Sequence, residues 1–438
     1  MKFSRALFRA FLPLLGMGLF FTACELDEQI DPNAPSINSV AQNATVQQLN
    51  LLVTGIEASM RNGFGTYVTA SGSVARELYI FDADPRNTEE LLGKDGVSLD
   101  NNTFYLTAPF NTRYRVVKNA NLLLDALDNT NSVSEAEKDG YRGFANTIKA
   151  LMLEQVLTYL GTNGVRIDVA DPGNLGPFVS QDAGYDAILD LYGTGFDQLQ
   201  GSSFTFALSS GFAGFDTPDS FADVNRALAA RAAVRAGRYQ TALDLVNESF
   251  VDLDSDLNLG PKHVFSLNAG DVTNPVFRIP QNNGDQLIVH PRIIDGIREG
   301  DARFDKFRLR NDPTTQDGLA GDYEVAIYES QTSPIDIIRN EELILIAAEA
   351  SIQTGDTEGA VEALNVIRNA YGLGDYDGST AMDALIDEML YQRCYSLYAE
   401  GHKMFDLRRY GRLNSDFLPI DRVGDQIFTQ FPIPLAEL

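Results

Sequence analysis

Arg339-Asn340-Glu341-Glu342-Leu343 opens the stretch on which the reading of this chain turns. Ala348-Glu349-Ala350 carries it on, and Ala399-Glu400-Gly401-His402 with Asp406-Leu407-Arg408-Arg409 closes it. Apolar residues recur with helical period from Glu341 to Asn369 and again from Met382 to Ala399. Asn340 is expected to cap the first helix, with Glu341 and Glu342 at the positive end of its dipole. Ala348-Glu349-Ala350 then runs through Gly355-Asp356 to Ala360-Val361. Upstream, Ala232-Ala233-Val234-Arg235-Ala236-Gly237-Arg238 runs to Ala242-Leu243, again with glycine five residues before alanine. Small residues at that spacing let antiparallel helices approach closely, and the glycine suits a left-handed cap. The two copies lie 118 residues apart, so they are a repeated packing unit and not a tandem array. Arg393, Glu400, Asp406, Arg408 and Arg409 are read as structural, because opposite charges near helix ends pair with one another and cap carbonyls.

Working outward, helical period also marks Val46 to Met60, Asn111 to Leu127, Glu135 to Leu160 and Asp219 to Asn247. Ser134 with Glu137 forms a capping box, and Thr217-Pro218 places a cap before proline at the first helical position. Strand-like runs are few and short. The expected fold is mainly α: tetratricopeptide-like helix pairs packed against an irregular, loop-rich lobe with few short strands. Residues 41–61, 109–161, 182–200, 217–250 and 340–411 make the scaffold. Residues 62–108, 162–181, 201–216 and 251–339 make the lobe, and 41–438 form a single domain. Recognition usually resides in long ordered loops on a rigid scaffold, so the ligand is expected in the lobe.

The chain opens with Lys2, Arg5 and Arg9, an apolar run from Ala10 to Phe21, and Thr22-Ala23-Cys24. That run is too short to cross a bilayer as a helix and ends in small residues before a cysteine, as a cleaved export signal does. Residues 1–23 are expected to be removed, Cys24 to be lipidated, and 24–40 to be a tether. Acyl chains contribute about 0.8 kcal/mol per buried methylene, so two or more hold stably. Loss of the three basic residues leaves 31 Lys and Arg against 61 Asp and Glu, a formal charge of −30. Nucleic acid is an unsuitable partner for such a field. Cys394 is the only thiol besides Cys24 and reads as core filler, so no disulfide is available.

Asp252, Asp254 and Asp256 alternate like the start of a calcium loop, but Leu257 stands at the glycine position and His263 at the glutamate position, which excludes an EF-hand. A looser calcium site on these carboxylates stays open; no other cofactor is expected. His263, His290 and His402 are far apart and show no metal-ligand spacing. Gly372-Leu373-Gly374 joins two helices and follows no strand, which removes a phosphate-loop reading. No Gly-x-Ser-x-Gly elbow occurs. Among 61 acids no glycosidase pair stands out. The chain has no Trp, so any platform for the apolar face of a sugar must be Tyr or Phe. The candidates are Phe64, Tyr67, Tyr79, Phe81 and Tyr105, with polar Arg76, Asp82, Asp84, Arg86 and Asn87 near them in sequence.

Taken in order, the C-terminal block resembles the SusD/RagB nutrient-binding lipoproteins. Further matches are Phe110, Tyr114, Val117 and Asn119-Ala120-Asn121; Pro177-Phe178-Val179-Ser180 before Tyr185-Asp186-Ala187-Ile188; His290-Pro291; Gly300-Asp301-Ala302-Arg303-Phe304; Ser333-Pro334-Ile335-Asp336-Ile337-Ile338-Arg339; and Phe431-Pro432-Ile433-Pro434. The chain departs at Phe110, where the family usually has Trp, and at Gln392, where it often has Glu. Glu25, Asp27 and Glu28 after the cysteine resemble a surface-export signal of Bacteroidota-type lipoproteins. The resemblance implies a non-enzymatic, lipid-anchored protein on the outer face of the outer membrane. It would capture an oligosaccharide or peptide and pass it to a SusC-like TonB-dependent barrel, over which it acts as a lid. Two other classes stay open beside it: a tetratricopeptide-like scaffold that binds only proteins, and a glycoside hydrolase.

Overall fold

A computed structural model describes residues 43–438. The expected export signal, Cys24 and the tether up to residue 40 lie outside the described residues.

Helix α1 (Val46–Met60) starts from a capping box at Thr45 and Gln48. α2 (Phe64–Val74) follows at once, where a loop was expected. Its sequence, rich in Gly, Ser and Thr, has no apolar stripe because ten of its eleven residues are buried; a helix enclosed on every side carries no period. Strand β1 (Leu78–Phe81) leads into a turn-rich segment and then α3 (Phe104–Asp128). α3 begins seven residues before the expected Asn111 and takes Pro109 into its second turn. Proline there removes the N–H that would donate to the Tyr105 carbonyl, and the Tyr159 hydroxyl donates to that carbonyl at 2.7 Å in its place.

α4 (Glu135–Leu160) has the capping box of Ser134 and Glu137, and α5 (Gln181–Leu199) lies along it. Between them, β2 (Val165–Arg166) pairs with β3 (Phe178–Val179). α6 (Pro218–Arg235) has the Thr217 cap with Pro218 at its first position, and α7 (Tyr239–Asn247) follows. The helical region read over 219–247 is divided at Gly237, whose φ of 72° is left-handed, as the expected glycine cap requires. After β4 (Lys262–His263), β5 (Gln286–Val289) and the short α8 (Pro291–Gly296), a hairpin of β6 (Phe307–Gln316) and β7 (Leu319–Val325) precedes β8 (Ile335–Asp336). The main sheet is antiparallel in the order β1-β5-β7-β6, with Leu78 opposite Val289 and a register break in the hairpin between Leu309 and Thr314.

α9 (Asn340–Thr354), α10 (Thr357–Ala370), α11 (Met382–Ser396) and α12 (Lys403–Arg409) complete the α-helices named among the described residues. Gly355, at φ 85°, closes α9 as Gly237 closes α6, and the pair α9/α10 packs beside α6/α7. The expected cap needs correcting: Arg339 is the cap residue and Asn340 the first helical one. The Asn340 side chain instead accepts from the Asp252 N–H at 2.9 Å and donates to the Asp252 carbonyl at 2.6 Å, pinning the acidic turn to the helix.

Arg393, Asp406 and Arg409 of the charged block are held in ion pairs, as read. Arg393 pairs with Asp406 at 2.7 Å, Arg409 with Glu349 at 2.7 Å and Arg231 with Glu342 at 2.6 Å, all inside the helical stack. A removed partner would leave a buried charge uncompensated, so these pairs fix helix register. Gln392 donates to Glu388 at 2.7 Å, and Glu388 also pairs with Arg298 and Arg368, so the amide joins the ionic cluster where the family often has an acid.

Candidate functional site

Residues 82–104 connect β1 to α3 and fold into one wall of an open cleft. Asp82 accepts from the Asp84 N–H at 2.6 Å and from the Asn87 amide at 2.5 Å, and the buried Tyr105 hydroxyl donates to Asn87. This chain of bonds fixes the turn at Pro85–Asn87. Arg86, held bidentate by Asp84 at 3.0 and 2.6 Å, leaves the turn pointing outward, and its guanidinium lies 4.8 Å from the ring centre of Phe104. That contact with Arg86 holds the Asp84 carboxyl below the usual carboxylate range. On the far side, Asp317 at the tip of the β6–β7 hairpin accepts from Thr88 at 3.1 Å and pairs with Lys94 and Arg422, which braces the segment.

The cleft so formed has a volume of about 800 Å³ and is lined by Arg86, Glu89, Glu90, residues 96–101 and Pro432. Phe104, which packs against the lining residue Arg86, is 38% exposed, and it is the one aromatic of residues 62–108 open to solvent. Glu90 lies deepest. Its carboxylate accepts from the Asp100 N–H at 3.2 Å, and burial pushes its pKa up. An apolar ring beside guanidinium, carboxylate and amide groups, in an open trough, suits a polyhydroxylated chain. The ring meets C–H faces, and the polar groups exchange hydrogen bonds with hydroxyls.

The aromatics named from sequence sit elsewhere. None of Phe64, Tyr67, Tyr79, Phe81 and Tyr105 exposes more than 8% of its surface. Phe64 and Tyr67 belong to α2 and the main core, where Tyr67 stacks on Tyr159 at 5.2 Å. Tyr79 and Phe81 stack at 5.5 Å in a small cluster with Leu92, Ile288 and Leu319. Arg76, with no exposed surface, donates to Asp421 and to the carbonyls of Val74, Leu92 and Gln426. Asp82 spends its carboxylate on the turn. These residues support the surrounding structure and do not line the cleft; a large aromatic gains most when buried, and here burial prevails.

Phe104 escaped the sequence reading although a signal was available. On one helix Tyr105, Pro109, Arg113 and Val116 share the inward stripe, which turns the preceding residue outward. The acidic turn at 252–256 spends carboxylates on itself: Asp252 accepts from the Asp254 N–H and the Ser255 hydroxyl, and Asp256 from the Asn258 N–H. Among the described residues no group of three or more His, Cys, Asp or Glu is arranged to hold a metal ion, and no helix is long and apolar enough to cross a membrane.

The architecture has close counterparts. A SusD superfamily protein from Bacteroides vulgatus superposes with a TM-score of 0.71 at 15% identity, over 89% of this chain and 96% of that one. Another SusD superfamily protein, from Parabacteroides distasonis, gives 0.67 at 18% identity, over 90% and 97%. The SusD family model matches residues 316–433, the part that holds the motif block from Ser333 through Arg409 to Ile433. This is a SusD-type fold. Surface glycan-binding protein A from Bacteroides thetaiotaomicron, solved in complex with laminarihexaose, shares it with a TM-score of 0.71 at 14% identity, over 90% of this chain and 97% of its own. No curated protein matches the chain in sequence. In this SusD-type fold the cleft lies between the 82–104 segment and the C-terminal stretch at Pro432.

Proposed function

We propose that this SusD-type protein is a non-catalytic nutrient receptor that holds an oligosaccharide in the cleft beside Phe104 and Arg86. The observation that carries the reading is the pairing of one solvent-open aromatic with a braced polar trough. The glycan complex of the superposable Bacteroides thetaiotaomicron protein supports the ligand class. In this reading Cys24 carries the lipid anchor, the protein faces outward from the outer membrane, and a SusC-like TonB-dependent barrel receives the cargo beneath it. Tight capture is unnecessary there: a millimolar site is worth about 4 kcal/mol, and tethering beside the transporter raises the effective concentration. A ligand that bridges lid and barrel favours closure by its differential affinity for the closed state.

Titration calorimetry of the lipid-free chain against laminari-, malto- and xylo-oligosaccharides, with peptides alongside, tests the proposal. At least one oligosaccharide is expected to bind saturably without release of shorter products. F104A should weaken it about 10-fold, the loss of one stacking contact of about 1.4 kcal/mol. Binding of peptides alone, or equal affinity of F104A and the unaltered chain, overturns the assignment of the cleft to sugar. Release of shorter sugars overturns the non-catalytic reading.

A further inference from the structure

A second cavity, of about 240 Å³, opens where the C-terminal end of α4, the start of α5, the end of α6 and α12 converge. None of its lining residues lines the cleft. Its floor is Thr158, Tyr185 and Phe405, each nearly closed to solvent; its rim carries Thr162 and Gln181; and three arginines, Arg235, Arg408 and Arg409, stand around it. In a chain with a formal charge of −27, three guanidinium groups on one small cavity are unexpected.

Two of the three are neutralised. Arg235 pairs with Glu154 at 2.9 Å, and Arg409 with Glu349 at 2.7 Å and Asp406 at 3.0 Å. The surrounding lattice adds Arg231 on Glu342 and Arg393 on Asp406. Five guanidinium groups therefore face four carboxylates. The unmatched one is Arg408: it donates to the carbonyls of Thr158 at 2.7 Å and Thr429 at 3.3 Å, and among the described residues no carboxylate pairs with it. Two carbonyls occupy two of its five N–H donors, and carbonyl dipoles do not cancel a full charge. Burial, together with repulsion from Arg235 and Arg409, lowers its pKa, so the cation is held against an opposing field. Tyr185 is 2% exposed, and among the described residues its hydroxyl has Thr158 as its one partner, at the long distance of 3.5 Å.

We propose that this cavity binds a small carboxylate-bearing, hydroxyl-rich monoanion, of the sugar-acid class. The carboxylate sits on Arg408, where one negative charge balances the lattice. Tyr185, Thr162 and Gln181 exchange hydrogen bonds with hydroxyls, and the Phe405 ring floors an apolar face. A dianion fits less well, since Glu154 and Glu349 stand behind the neighbouring arginines.

Galacturonate and glucuronate are the probes, with galactose and glucose as neutral counterparts and acetate and inorganic sulfate as simple anions, titrated into the lipid-free chain by calorimetry. The expected result is saturable uronate binding, no binding of the neutral sugars, weaker binding of acetate, and at least a 10-fold loss in R408Q. Equal response to uronate and neutral sugar overturns the proposal. So does sulfate or acetate binding as tightly as uronate, or an R408Q chain that binds as before. If circular dichroism shows R408Q misfolded, R408K, which keeps the charge without the planar fork, and Y185F take its place. Unaltered uronate affinity in both would equally sink the idea. Repeating the titration in F104A, which alters the cleft and none of this cavity's lining, separates the two sites, so either proposal can fail alone.

Discussion

Glu77 shows how one side chain sets a pH response. It has no exposed surface, its Oε1 accepts from the Ala399 N–H at 3.0 Å, and its Oε2 has no hydrogen-bond partner among the described residues. Burial raises its pKa from 4.5 to about 7, against the pull of Lys403 and the Ala399 N–H. Between those values the folded chain holds the proton more tightly than the unfolded one, so this group's contribution to stability falls as pH rises from 4.5 to 7. His263 and His402 act oppositely. Burial lowers each from 6.5 to about 3, and the stability tied to their neutral forms is lost as pH falls through that window. E77Q keeps the acceptor and removes the charge. It is expected to stabilise the protein by about 2 kcal/mol at pH 8, about 3 from the abolished shift less about 1 for an amide N–H₂ without a partner, and to have no benefit at pH 4.5. Thermal unfolding at pH 4.5, 6 and 8 reads this directly; a constant difference across the three would refute it. At this scale the sequence is least explicit. Phe104 and Tyr105 are adjacent aromatics, and only the phase of the helix they begin decides that one faces solvent and the other donates to Asn87.

Elements were more legible than residues, for a physical reason. α1 and α4 have the expected ends because each starts from a capping box, and because α1 and the first half of α4 keep a wet face, which writes a period of 3.6 into the sequence; Ala150–Leu160 of α4 is enclosed. α2 lacks both signals. It is enclosed on all sides and begins at Gly63 in a left-handed conformation, without a side-chain cap. The repeated glycines belong to the legible class, since Gly355 must adopt a φ of 85° for α10 to fold back along α9. An added Cβ at Gly355 meets nothing within 4 Å, so a substitution there reports backbone strain without steric conflict. G355A is accordingly expected to cost about 1 kcal/mol, seen as a lower urea midpoint with unchanged slope. A loss of several kcal/mol would mean that the cap is tied to the ionic lattice of α9 and α12 and is not a local turn.

Across the whole molecule, the last residues act as a strap that fastens the cleft to the helical stack. Phe431 lies on Tyr159 at 3.8 Å with rings nearly parallel, the Gln426 N–H donates to the Leu92 carbonyl, and the Leu435 N–H donates to the Asn101 carbonyl. Pro432 is itself part of the cleft wall. Phe431-Pro432-Ile433-Pro434 was visible in the sequence as a motif, but the pairing of Phe431 with Tyr159, 272 positions earlier, was not, because periodicity reports a residue's face and never its distant neighbour. Asp421 is the strap's ionic anchor: it pairs with Arg76 at 3.0 Å and His290 at 2.8 Å, and Arg76 in turn donates to the Leu92 carbonyl behind the cleft. D421A leaves a fully buried guanidinium without its carboxylate, and such a loss costs about 3–5 kcal/mol. Because Arg76 bridges strap and cleft wall, the loss should be local as well as global. Hydrogen exchange in residues 86–101 is expected to accelerate before that of α4, and oligosaccharide affinity to drop as the wall loses its preorganisation. Exchange that accelerates equally in both places would show instead that strap and cleft share only the global unfolding of the chain.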